Sequence, residues 1–240
     1  ALVGVMAPLR PAPAPAAEDV TIFSAHLPPY AMKGEAKNGF VAEVAQEMAR
    51  RVGASDELVF KPWGRVYRQI QSGPKSLLAP IARTEQREDK LKWVAPVYPD
   101  RMAVFSYGDH GESITLEEAA KRGPVAVQKD SLMHELAKKR GIENLEVTAN
   151  LDSIARKVAV GRIKYWLSLE SLATYSLEGE GYDPEKLVVG EVINEFTVYI
   201  GASPDLTEDE LQPWREAFDA MKADGTYDAI MADYGFDGSS

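Results

Sequence analysis

The chain has 240 residues, 45% of them apolar and 27% charged, and carries a net charge of −10. That length holds one large domain or two ordinary ones around a substantial core, and the composition excludes a disordered or fibrous chain. The acidic balance argues against a nucleic-acid partner, which needs a cationic face. The absence of cysteine excludes disulfides, thiolate metal sites and thiol nucleophiles.

In chain order, Ala1–Ala7 is apolar and runs into a Pro/Ala stretch ending at Ala17, before Glu18-Asp19. Two readings stand: the tail of a secretory signal with its small-residue cleavage site, or an Ala/Pro linker. In both, residues 1–17 carry no fold, and in the first the mature protein is periplasmic. No later stretch is apolar for long enough to span a bilayer.

Val20–Phe23 reads as a strand. Phe40, Val44, Met48 and Val52 recur every four residues and predict a helix that Gly53 stops. Leu58–Phe60 is a strand, Arg65–Ser72 a helix closed by Gly73-Pro74, and Leu77–Ile81 a strand. The alternation then repeats. Met102–Tyr107 is strand-like, Thr115–Lys121 a helix with a Thr115…Glu118 capping box, and Val125–Gln128 a strand. Leu132–Lys139, Leu151–Val160 and Leu169–Leu177 read as helices, Leu145–Val147 and Tyr165–Leu167 as strands between them. Leu187–Val192 and Thr197–Gly201 are two more strands, and helices around Leu211–Met221 and Tyr227–Tyr234 close the chain. Strands alternating with helices in two rounds predict an α/β protein with mainly parallel sheets.

Four segments carry a resemblance. Leu27-Pro28-Pro29-Tyr30 with Asn38-Gly39-Phe40-Val41 is the first, and Lys61-Pro62-Trp63 leading to Gln71-Ser72-Gly73 the second. The third joins Ala82–Glu88 to Trp93-Val94-Ala95-Pro96-Val97-Tyr98, and the last is Asp224-Gly225-Thr226-Tyr227. In this order and spacing the chain resembles the amino-acid-type periplasmic solute-binding proteins of ABC importers, solute-binding protein family 3, over about Val20–Phe236. The resemblance implies a two-lobed, type II periplasmic-binding-protein-like fold. Residues 18–104 plus 197–240 would form lobe 1 and 105–196 lobe 2, with hinge crossings near Val104 and Phe196. The ligand would sit between the lobes, which close on it. The implied partners are a small-molecule carboxylate ligand and a membrane permease of an ABC importer, for a chain acting as a monomer without a cofactor.

The resemblance puts Arg87 on the ligand carboxylate, at the mouth of a lobe 1 helix. A planar guanidinium presents two parallel N–H donors to a carboxylate, and one such charge-assisted bond contributes roughly 1.5–3 kcal/mol. By spacing alone Arg87 reads as a solvated residue in the charged run of Glu85, Glu88, Asp89 and Lys90, and it is the resemblance that reverses this. Thr84 either donates a hydroxyl beside Arg87 or caps a helix, and Ala82 is an apolar neighbour. Arg83 pairs either with a second acidic ligand group or with an acidic neighbour. Tyr30 and Trp63 offer flat faces for apolar and cation–π contact, or belong to the core. From lobe 2, Gln128, Asp130 and Ser131, with Lys129, form a strand-to-helix loop whose backbone N–H groups suit an anion, or whose side chains merely cap the helix.

Gly161–Glu170 departs from the family pattern. Leu169 falls where amino-acid binders carry the acidic acceptor for an α-ammonium, and Lys164 replaces an earlier Asp. An ammonium must therefore go to Glu170, go elsewhere, or be absent. Two alternatives share the scaffold: a dehydratase of the cyclohexadienyl type, with Glu170 as its acid, and a sensory input domain. The sequence offers no P-loop, nucleophile elbow or metal-ligand spacing, so no catalytic residue and no metal are expected.

Overall fold

The computed structural model describes residues 20–129 and 131–236. The Pro/Ala stretch at 1–17 and the site candidate Asp130 lie outside them. The strands are β1 (Thr21–Ser24), β2 (Leu58–Phe60), β3 (Ser76–Ala82), β4 (Lys92–Tyr107), β5 (Val125–Gln128), β6 (Leu145–Thr148), β7 (Tyr165–Leu169) and β8 (Leu187–Ala202). The helices are α1 (Phe40–Val52), α2 (Trp63–Ser72), α3 (Leu116–Arg122), α4 (Leu132–Lys139), α5 (Leu151–Ala159), α6 (Glu170–Gly179), α7 (Glu208–Ala223) and α8 (Thr226–Ala232).

The strands join in the order β2-β1-β3-β8-β4-β7-β5-β6. At each end the pairing is parallel, as βαβ connections require: β1 with β2 and β3, β5 with β6 and β7. In the middle it is antiparallel: β3 with β8, β8 with β4, β4 with β7. The long strands β4 and β8 pair along their lengths, from Lys92↔Ala202 to Tyr107↔Leu187. One end of the pair lies beside β3, the other beside β7.

Two sequence expectations need correction here. Residues 187–192 and 197–201 form one strand rather than two, because Met102 pairs with Asn194 and Ala103 with Val192, leaving Ile193 as a bulge. Strand β4 also begins ten residues before the expected Met102, at Lys92, and runs through Pro96 and Pro99 with register shifts around Pro96.

Local chemistry sets the helix ends. α1 buries Phe40, Val41, Val44, Met48 and Ala49, and Gly53 ends it at φ 76° in the left-handed region. Each large side chain so buried contributes about 1.5–3 kcal/mol. Thr115 caps α3 by accepting the Glu118 N–H, and Thr207 with Glu210 forms a full capping box on α7. The β1–β3 end packs its core against α1, α7 and α8, with Ile22, Phe40, Met48, Trp214 and Phe218 buried together. At the other end Val104, Leu116, Val125, Tyr165 and Leu167 form one cluster, and Phe105, Ile154, Trp166 and Leu177 another.

Candidate functional site

A cavity of about 560 Å³ opens where the C-terminal ends of β1, β3 and β5 face the crossing strands. Clefts of α/β sheets form at such strand ends, since the chain leaves the sheet there in loops. The first loop contributes His26, Leu27, Pro28 and Tyr30, and α2 contributes Trp63. Pro80, Ile81 and Ala82 come from the end of β3, and Arg87 from the segment between β3 and β4. Gln128, Leu151, Leu169 and Leu172 face them, and Phe196 and Val198 of β8 complete the lining.

Arg87 lies in a 3-10 helix, Glu85–Lys90, rather than at the mouth of an α-helix. Its Nη1 donates to the Ala82 carbonyl at 3.0 Å. The guanidinium carbon stands 5.4 Å from the Trp63 ring centre and 5.1 Å from that of Tyr67. Those two rings are themselves stacked, 11° apart in plane. Face contacts of this kind hold a guanidinium in place while leaving its edge for hydrogen bonding. Among the described residues, Arg87 forms no ion pair, although acidic residues surround it in sequence.

Tyr30 is buried, and its ring lines the cavity. Its hydroxyl turns away, to Asp100 and, at 2.7 Å, to Ser171. Ser171 also donates its hydroxyl to Asp100 at 2.6 Å, and the Arg101 backbone N–H donates to Asp100 at 2.8 Å. Burial raises the Asp100 pKa above the ordinary carboxylate value, outweighing the hydrogen bonds from Ser171, Tyr30 and the backbone. Burial first, then the Asp100 charge, pushes the Tyr30 pKa well up. The Gly39 turn holds this loop: at φ 93° an added Cβ would lie 2.5 Å from the Ala31 backbone.

Thus Tyr30, Trp63, Ala82, Arg87 and Gln128 are brought together. Arg83, Thr84, Ser131 and Glu170 are not among the described residues of the lining. Arg83 forms a two-pronged pair with Glu88 and lies over the Trp93 and Tyr199 rings, the acidic-neighbour alternative. Thr84 is exposed and precedes the 3-10 helix, with its carbonyl accepting the Arg87 N–H at 2.9 Å. Ser131 caps α4, accepting the His134 N–H at 3.2 Å and donating to the Gln128 carbonyl at 2.7 Å. Glu170 accepts two bonds from Arg101, at 2.7 and 2.6 Å, and borders a separate cavity of about 500 Å³ with Tyr98 and Glu195. Lys164 pairs with Glu112 at 2.6 Å.

Sequence reasoning left out His26, Leu151, Leu172, Phe196 and Val198. Leu169 is the N-cap of α6 and Leu172 lies in that helix's first turn, so the second could have been inferred from the first. The others depend on which loops and strands meet across the sheet.

A search of curated protein sequences found no match. Solved structures share the fold. Substrate-binding domain 2 of GlnP from Lactococcus lactis, in an open conformation, aligns with a TM-score of 0.69 at 14% identity, covering 93% of this chain and 98% of that one. An ancestral cationic amino acid solute-binding protein aligns at 0.68 with 20% identity, over 90% of this chain and 95% of that one. A histidine kinase sensor domain similar to periplasmic binding proteins aligns at 0.61 with 21% identity, over 90% and 96%. The fold is therefore the two-lobed, type II periplasmic-binding-protein architecture, an eight-stranded mixed sheet with flanking helices. The family model for bacterial extracellular solute-binding proteins, family 3, matches residues 20–237, and the chain belongs to that family.

Proposed function

We propose that the chain captures a small carboxylate-bearing solute, amino-acid-related in size, and delivers it to the membrane permease of an ABC importer. Arg87 carries this reading: a guanidinium in a cavity wall, oriented by two aromatic faces and a carbonyl, with no acidic partner among the described residues. Tyr30, Trp63, Ala82 and Gln128 are its companions at the ligand. Residues 18–104 plus 197–240 act as one lobe and 105–196 as the other, with β4 and β8 crossing between them as the hinge. A ligand bonded to both lobes favours the closed form by its differential affinity. The protein works outside the cytoplasm, as members of its family do.

The dehydratase alternative draws less support, because the acid it names is Glu170. Glu170 is held in the Arg101 pair and borders a different cavity. Incubation with prephenate or arogenate is expected to yield no aromatic product.

A thermal-shift screen of amino acids, other small carboxylates, polyamines and betaines tests the proposal, since excess ligand stabilises by mass action. The expected outcome is a carboxylate hit, one-to-one stoichiometry in calorimetry, and a smaller radius of gyration on binding. A hit restricted to polyamines would refute it.

A further inference from the structure

The polar part of the cavity wall is unbalanced. Its ionic member is Arg87, joined by Gln128 and His26, and no Asp or Glu occurs among the described lining residues. His26 Nδ1 accepts the Lys33 backbone N–H at 3.0 Å, which leaves Nε2–H as the ring's donor. The rest of the wall is mainly apolar, with Leu151, Leu169, Leu172, Phe196 and Val198 alongside Trp63 and Ile81.

Two acidic groups of the neighbouring segments, Glu170 and Asp100, have other partners. Glu170 receives both Arg101 bonds. Asp100 lies beneath Tyr30, 4% exposed, receiving hydroxyls from Tyr30 and Ser171 and the Arg101 N–H. An ammonium taken into this cavity would lose its water without gaining a carboxylate from any described lining residue, and would share the space with the Arg87 guanidinium. An unpaired buried charge is strongly disfavoured. A carboxylate on Arg87 meets the opposite situation, and an apolar body fits the remaining wall. A volume of about 560 Å³ suits one small organic molecule.

We infer that the ligand is a monocarboxylate with an apolar body, aryl or branched aliphatic, and without an α-ammonium group. The inference rests on the proposed binding role and narrows its substrate class. Leu169, at the end of β7 and in the wall, is the residue that sets this preference.

Paired probes test it by calorimetry: 3-phenylpropanoate against phenylalanine, and 4-methylpentanoate against leucine. In each pair the compound without the amino group is expected to bind at least about tenfold more tightly. Leu169→Asp is expected to reverse the order, and Leu169→Asn, similar in shape but uncharged, to leave it unreversed. Melting curves of both variants check that they fold; the wild-type comparison stands without them. Phenylalanine or leucine binding as tightly as its partner overturns the inference and leaves the binding role intact. If none of the four probes binds, the inference falls, and the broad thermal-shift screen decides separately whether the binding role survives.

Discussion

Ser171 donates its hydroxyl to the Asp100 carboxyl over 2.6 Å, joining the first turn of α6 to the middle of β4. Tyr30 approaches both. If Asp100 is ionised, both hydroxyls point at it and their own 2.7 Å approach carries no proton. A protonated Asp100 completes a ring of three donors and three acceptors, which agrees with the upward shift that burial imposes.

That shift has a sign in stability. Between the ordinary value of 3.8 and its raised folded value, Asp100 binds its proton more fully in the folded chain than in the unfolded one. The contribution is complete below the ordinary value and is lost as pH rises through the folded one. Denaturant titrations should show wild type losing stability relative to Asp100→Asn as pH climbs from about 4. A difference that stays flat with pH would contradict the assignment.

Arg87→Ala should weaken the strongest hit by roughly 10- to 150-fold, the equivalent of about 1.5–3 kcal/mol for a charge-assisted bond. Arg87→Lys should recover only part, since a single ammonium cannot reproduce the planar fork. Unchanged affinity in Arg87→Ala would displace the ligand from this wall.

The Trp63 ring faces the Arg87 guanidinium at 5.4 Å, so in the proposed site it would act on the ligand both directly and through Arg87. Trp63→Ala should cost about 1–2 kcal/mol of binding, while Trp63→Phe should cost less because a flat ring remains. Equal losses in the two variants would show that ring stacking is not the source.

Gly39→Ala should lower stability by about 1–3 kcal/mol, because φ 93° is unfavourable for alanine and its Cβ would meet the Ala31 backbone at 2.5 Å. Binding should weaken with it, as the start of α1 just after Gly39 holds the Tyr30 loop through its backbone N–H groups. A variant with wild-type melting temperature would mean that the turn relaxes without cost.

Much of the fold was legible because the helices announce themselves. The four-residue recurrence of Phe40, Val44, Met48 and Val52, closed by Gly53, gave α1 to the residue. The long strands were less legible. Pro96 and Pro99 remove ladder donors and disguise the start of β4, and the Ile193 bulge breaks the alternation that would have revealed β8 as continuous. In the site, motif spacing led to Arg87 and Trp63. It could not reveal that Asp100 waits for Ser171, seventy-one positions away. Nor could it show that Arg101 takes Glu170 out of the cavity. Such pairings exist only once the sheet has brought distant segments together.

The place of β8 in the sheet has a consequence for how the chain is made. It is the last synthesised of the described strands, yet it lies between β3 and β4. Until Leu187–Ala202 emerges, β3 and β4 each present an unpaired edge at the centre of the sheet. A nascent polypeptide, or one threaded N-terminus first through a narrow channel, therefore cannot seal its middle early. Completion waits for residues 187–202 to arrive.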